Sequence, residues 1–205
     1  DHPANPDEWQ RRWGTARAEL AALLSEHEVR AARRTTINAH YTDAAYVQAV
    51  WDAVVRLGFA GGAVLEPGCG VGTFIGLAPE SARMVGVELD PTTAAIASLL
   101  YPNATVLAES FADTRIPEGT FDLVVGNVPF ADVVLTDPTH NPARLSIHNH
   151  FIVKALHLLR PGGLVAVFTS RYTMDAQNPA ARREMAGLAD LVGAVRLPEG
   201  AHRRA

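Results

Sequence analysis

The chain has 205 residues, 48% of them hydrophobic, and a formal net charge of −4. That length suits one domain with room for an appendage, and the apolar fraction argues against wholesale disorder. The mild acidity argues against a domain that itself clamps nucleic acid, because phosphate binding needs Lys and Arg, but it leaves open a catalytic module whose grip lies elsewhere. The single cysteine, Cys69, cannot form an internal disulfide, which points to a reducing compartment. Residues 1–12 are polar, without a signal-peptide core, and no apolar run approaches the roughly 20 residues of a membrane span. The expectation is a cytoplasmic protein with no membrane partner.

In chain order, the first element predicted is a helix over 7–34. Leu20, Leu23 and Leu24 share a stripe, and Trp9 and Trp13 stand four apart. Arg11, Arg12, Arg30, Arg33 and Arg34 make this the most basic stretch, either a solvated amphipathic face or a contact for nucleic acid or a partner. Residues 1–34 are read as a helical extension and 35–205 as the main domain. In the polar turn Asn38–Asp43, Thr42 or Asp43 can cap a helix that runs to about Leu57. Strands follow at 63–66, 84–88, 105–107, 121–125, 164–168 and 191–197. Helices alternate with them, one opened by Pro91, which costs no hydrogen bond in a first turn, and others over 151–159 and 179–188. This alternation predicts an α/β, Rossmann-like, mostly parallel doubly wound sheet with its ligand site at the carboxyl ends of the strands. Residues 131–149 form a long irregular connection with Pro138 and Pro142, of a length common in functional loops.

The first strand runs into Glu66-Pro67-Gly68-Cys69-Gly70-Val71-Gly72-Thr73-Phe74. Alternating glycines permit a sharp turn and close approach of a ligand to the backbone. A dinucleotide fingerprint is spaced G-x-G-x-x-G, whereas the spacing here is G-x-G-x-G behind an acid. A carboxylate there repels a pyrophosphate but suits the sulfonium and ammonium of S-adenosylmethionine. The second strand ends in Glu88-Leu89-Asp90, and an acid at that place can accept both hydroxyls of a ribose.

These two stretches resemble motifs I and II of the class I S-adenosylmethionine-dependent methyltransferases, especially the DNA adenine N6-methyltransferases of the gamma arrangement and type I modification subunits. The resemblance runs from about Thr35 to Leu197. It implies S-adenosylmethionine as cofactor, with Tyr41 and Thr42 near its methionine end, Glu88 and Leu89 near its ribose, and Glu109, Ser110 or Asp113 receiving its adenine amino group beside Phe111. It also implies that Asn127-Val128-Pro129-Phe130, at the end of the fourth strand, is the catalytic loop, where the family carries Asn/Asp/Ser-Pro-Pro-Tyr/Phe. An aromatic amine is a poor nucleophile because its lone pair is delocalised. Two acceptors holding its hydrogens, the Asn127 side-chain oxygen and the Val128 carbonyl, relieve developing positive charge. Phe130 would stack on a flipped-out base. Val128 departs from the usual proline, which removes some rigidity from the loop.

Other chemistries fit less well. The loop has no nucleophilic cysteine for a cytosine C5 reaction. His140, His148 and His150, with Asn141 and Asn149, lack a ligand set for a metal, so they read as capping residues or as substrate contacts. Ser170-Arg171-Tyr172, after the fifth strand, lies where relatives place a Ser or Thr near the target base. The expectation is an adenine N6-methyltransferase acting on DNA in restriction–modification or phage defence, without metal. An RNA or protein-glutamine N-methyltransferase and a catalytically silent cofactor-binding module remain open. The family's antiparallel seventh strand and a target-recognition region are missing from the sequence, so the chain is expected to be part of a longer polypeptide, with DNA as partner and a helicase or restriction module as a candidate further partner.

Overall fold

The computed structural model describes residues 6–26, 28–30 and 42–198; Tyr41 lies outside them. Two compact units divide between Ile37 and Asn38.

In the first unit, α1 spans Pro6–Leu23. The continuous helix expected over 7–34 is interrupted at Ser25. The Ser25 N–H donates to the Glu28 carboxylate at 2.7 Å, and the Glu28 N–H donates to Ser25 Oγ at 3.3 Å. This reciprocal capping box starts a new helical segment and stops the old one. Leu20 and Leu23 are exposed, so the expected apolar stripe is not a buried one.

The second unit opens with α2 (Ala44–Arg56), capped by Asp43, whose carboxylate accepts from the Ala45 N–H at 2.8 Å. Then come β1 (Gly62–Pro67), α3 (Thr73–Gly76), β2 (Ala82–Val87), α4 (Pro91–Leu100), β3 (Thr105–Leu107), β4 (Phe121–Asn127), α5 (Ile147–Leu158), β5 (Leu159–Phe168), α6 (Tyr172–Asp175) and α7 (Ala180–Leu188). Among the described residues the strands form one parallel sheet in the order β3-β2-β1-β4-β5. Successive side chains point to opposite faces. Val64, Leu123 and Val125 therefore pack with Val47, Trp51 and Val54 of α2, while Leu65 and Val124 pack with Ile147, Phe151 and Leu158 of α5. Strand order reverses between β1 and β4, and the crevice at their carboxyl ends is where such sheets place a ligand.

Three expectations are corrected. The sixth strand, 191–197, is absent: residues 191–198 make no ladder, and Leu191, Val192 and Val195 are exposed. Apolar alternation alone does not make a strand, because its N–H and C=O groups need a neighbour. Instead Arg196 reaches Asp175 of α6 at 2.9 Å. Second, β5 begins at Leu159 and carries Pro161-Gly-Gly163 as an irregularity in its register with β4. It starts five residues before the expected Leu164, forms the sheet edge and is only partly buried. Third, α5 begins at Ile147 rather than Phe151, which makes His148, Asn149 and His150 helical and buried. No described helix is long and apolar enough to cross a membrane.

Candidate active site

The glycine loop is shaped by its contact with β2. The N–H groups of Gly68 and Cys69 both donate to the Val87 carbonyl, at 2.7 and 2.9 Å. Gly70 has φ +54° and Gly72 has φ +86°, left-handed values that disfavour any side chain, and Gly72 is the cap of α3. A Cβ at Gly70 would meet nothing within 4 Å, so open space faces the turn. Glu88, just beyond β2, closes the loop: its carboxylate accepts from the Gly70 N–H at 2.9 Å and from the Asp90 N–H at 2.8 Å.

Glu66, the next-to-last residue of β1, is 3% exposed, and its Oε2 has no hydrogen-bond partner. Burial pushes its carboxyl well up, the negative Glu88 adds to this, and the Ile75 main chain offsets it in part. The same burial, with Glu66 and Glu88, pushes the Cys69 thiol up, which leaves it an unreactive small residue. The Glu88 carboxylate stands at the glycine turn, and the buried Glu66 carboxyl, its Oε2 without a partner, is a group whose ionised form a bound cation would favour. This fits a cationic sulfonium and ammonium and disfavours a pyrophosphate. Pro67 completes β1 and turns the chain into the loop.

Asn127 is the last residue of β4, adjacent to this loop. A Cβ on the preceding Gly126 would lie 3.4 Å from Glu66 Cγ, so the end of β4 runs directly beside the buried acid. Asn127 Nδ2 donates to Thr42 Oγ1 at 3.1 Å, which brings Thr42 to the loop after β4. Val128 is buried, and its N–H donates to the Phe168 carbonyl at 3.1 Å, one step beyond the β4–β5 ladder. A proline could not make this bond. The rigidity expected to be lost with valine is therefore supplied by an anchor that proline lacks. Pro129 and Phe130 are half-buried, and Phe130 packs on the cluster that holds Ile147 and Phe151.

Not every expected cofactor residue shares this exposure. Phe74 is buried in the core, near Phe168 with ring centroids 6.3 Å apart. Leu89 is exposed. Glu109 is exposed, and Ser110 Oγ accepts from the Ala112 N–H at 3.3 Å. Phe111 is buried, its ring 4.9 Å from that of Phe151 and 5.0 Å from Lys154 Nζ.

The residue that sequence reasoning missed is Lys154. It is 1% exposed, in the middle of α5. Its ammonium donates to the carbonyls of Phe111, Ala112 and Thr114 at 2.6, 3.1 and 3.4 Å and to Asp137 Oδ2 at 3.1 Å. Asp137 Oδ2 also accepts from His150 Nε2 at 3.1 Å. Burial raises the Asp137 carboxyl, but donors from the His140 main chain, His150 and Lys154 overcome it and hold it far below the usual carboxylate range. The turn after β3, the loop after Phe130 and α5 thus share one polar node. The signal was a lone lysine among Phe151, Ile152, Val153 and Ala155, a pattern that a partner buried elsewhere in the chain would explain. The other polar residues of this region serve the same loop. Asn141 bridges the Leu135 and Leu145 carbonyls, and Ser146 Oγ meets His148 and Asn149. Among the described residues no group of three His, Cys, Asp or Glu is placed to hold a metal.

Comparison with known proteins agrees with this geometry. Residues 65–167, half the chain, match the family described as "Methyltransferase domain". The chain is 28% identical over 170 residues to Defense against restriction protein B of Escherichia phage P1, a match covering 80% of the chain and 8% of that protein. It is 32% identical over 100 residues to the type II methyltransferase M.CvrRI of Paramecium bursaria Chlorella virus XZ-6E, covering 46% of the chain and 25% of that protein. The chain therefore spans a small part of the length of these relatives. A solved TehB-like SAM-dependent methyltransferase from Corynebacterium glutamicum superposes with a TM-score of 0.49 at 17% identity, covering 90% of the chain and 84% of that structure. With its parallel β3-β2-β1-β4-β5 sheet and a family match spanning the glycine loop and the end of β4, this chain belongs to the class I methyltransferase-domain family, whose methyl donor is S-adenosylmethionine.

Proposed function

We propose that the chain transfers a methyl group to the exocyclic N6 amine of adenine in DNA. The observation that carries the reading is Asn127-Val128-Pro129-Phe130 at the end of β4, abutting the glycine loop through Glu66 and anchored by Val128 to Phe168. Bound S-adenosylmethionine supplies an electrophilic methyl on a sulfonium. The chain's own groups do the rest. Glu66 and Glu88 attract and orient the cation and ribose, the Asn127 oxygen and the Val128 carbonyl hold the amine's hydrogens, and Phe130 offers a face to the base. In-line transfer to the amine nitrogen would break the methyl–sulfur bond, leave a neutral thioether and release one of the amine's protons to solvent. The names of the two relatives, a type II methyltransferase and a defence against restriction, favour DNA modification for this chain as well. Sequence recognition, and a helicase or restriction module as partner, belong to the same proposal.

The test offers labelled S-adenosylmethionine with DNA, RNA and protein. Label in DNA supports the reading, while label only in RNA or protein, or cofactor bound without transfer, contradicts it. The cofactor half is checked separately through Glu88. Glu88→Ala removes a charged acceptor for ribose, where hydrogen bonds to charged groups contribute about 1.5–3 kcal/mol each. Cofactor affinity measured by calorimetry should fall about 100-fold with the circular dichroism unchanged; an unchanged affinity would remove Glu88 from the site.

A further inference from the structure

We infer that Thr42 is a positioning residue for methyl transfer. It fixes the plane of the Asn127 carboxamide, so that one end of the amide is always turned to the substrate amine. The inference rests on the reading of Asn127 as an acceptor for that amine. It differs from the expectation that Thr42 touches the cofactor's methionine end.

The two residues are 85 apart in sequence, yet Asn127 Nδ2 donates to Thr42 Oγ1 at 3.1 Å. Each is held by rigid structure. Thr42 immediately precedes Asp43, the cap of α2. That helix is pinned by buried Val47, Trp51 and Val54, and the Trp51 indole N–H donates to the Phe74 carbonyl in α3 at 3.2 Å. On the other side, Asn127 pairs with Phe168 in the β4–β5 ladder and the next residue is tied to the same carbonyl strand. With both backbones fixed, the main freedom left to Asn127 is its terminal torsion, which is broad and roughly two-fold. The two ends of a carboxamide are chemically opposite: the oxygen accepts, and the nitrogen donates twice. If the nitrogen faced an amine whose hydrogens need acceptors, donor would meet donor. A hydroxyl held at one end removes the rotation, and the amine's hydrogens then select the oxygen for the other end. Serine can do this as well as threonine, but valine, of nearly the same shape, cannot.

The experiment compares wild type, Thr42→Val and Thr42→Ser, using S-adenosylmethionine and an adenine-containing duplex. The single-turnover rate at saturating cofactor is measured beside cofactor affinity. One neutral hydrogen bond contributes about 1 kcal/mol, so Thr42→Val should react about fivefold more slowly with its cofactor Kd within about twofold, and Thr42→Ser should restore the rate. An unchanged rate in Thr42→Val, or a loss confined to cofactor affinity, overturns the inference; the latter would make Thr42 a cofactor ligand. If the wild type methylates RNA or protein amide instead of DNA, the DNA reading fails, but the same three proteins are compared on that amine and the inference stands or falls there. A readout without turnover accompanies it: the Asn127 side-chain amide protons should exchange faster in Thr42→Val than in wild type and Thr42→Ser. Equal exchange in all three also overturns it.

Discussion

Asn127→Ala should lower the rate of methyl transfer about 100- to 1,000-fold, the range seen when one preorganised polar group at a reacting centre is removed. S-adenosylmethionine should still bind within a few-fold of wild type, because the glycine loop closes on Glu88 without Asn127. The reason lies in the amine. Its lone pair must leave conjugation with the ring before it can attack, and acceptors for its hydrogens favour that geometry only as charge develops. Asn127→Asp keeps an acceptor and should lose less. If Asn127→Ala loses cofactor affinity and rate in equal measure, the side chain binds rather than catalyses.

The second large effect concerns the node beneath the site. Asp137→Ala should destabilise the fold by about 3–5 kcal/mol, the cost of removing one partner of a buried ion pair. Lys154 is 1% exposed and Asp137 2%, so neither charge can turn to water. Lys154→Met leaves the Ala112 and Thr114 carbonyls short of their donor and should cost a similar amount, while replacing both residues should cost less than the sum. Denaturant unfolding of the three variants measures this directly; additive losses would show that the two residues do not act as a pair.

The same node sets an acid limit. Asp137 has its carboxyl depressed in the folded state, so its contribution is present above the unfolded value of about 4 and is lost as pH falls below it. Burial lowers His148 and His150, and for His150 this outweighs the raising influence of Asp137. A histidine lowered on folding favours the unfolded chain once protonated, so stability should already decline as pH falls below about 6.5. The raised Glu66 carboxyl works the other way and destabilises the fold above the usual carboxylate range, so the Asp137 contribution is read as a difference between wild type and Asp137→Asn. Followed from pH 8 to 3, the advantage of wild type in unfolding free energy should shrink as pH falls below about 4.

How far the sequence carried differs from one element to another. The cofactor loop was legible because both of its signals are local. Alternating glycines demand φ values that only glycine tolerates, and Pro91 after Asp90 marks a helix start, with Asp90 accepting from the Thr93 N–H at 2.8 Å. The central strands were legible because a strand covered on both faces reads as an unbroken apolar run. Residues 191–197 carry the same apolar signature without forming a strand, since composition cannot say whether a neighbour is present. The start of α5 was hidden for a related reason. Ser146-Ile-His-Asn-His150 looks like a polar turn until Asp137, 13 residues before His150, is found buried against it. The node itself is non-local, joining residues 111–114, 137 and 154, and no window of sequence contains it. Val128 shows the reverse case: a departure from a motif that looked like a weakness becomes intelligible once its N–H is found on the Phe168 carbonyl.

The central claim is transfer to the adenine amine of DNA by this fold. It is tested most directly by incubating the chain with labelled S-adenosylmethionine and duplex DNA, digesting the DNA to nucleosides and identifying the labelled one. The account predicts label in N6-methyldeoxyadenosine, lost in Asn127→Ala. Label in a methylated cytosine, or unlabelled DNA from protein shown to bind the cofactor, would contradict it.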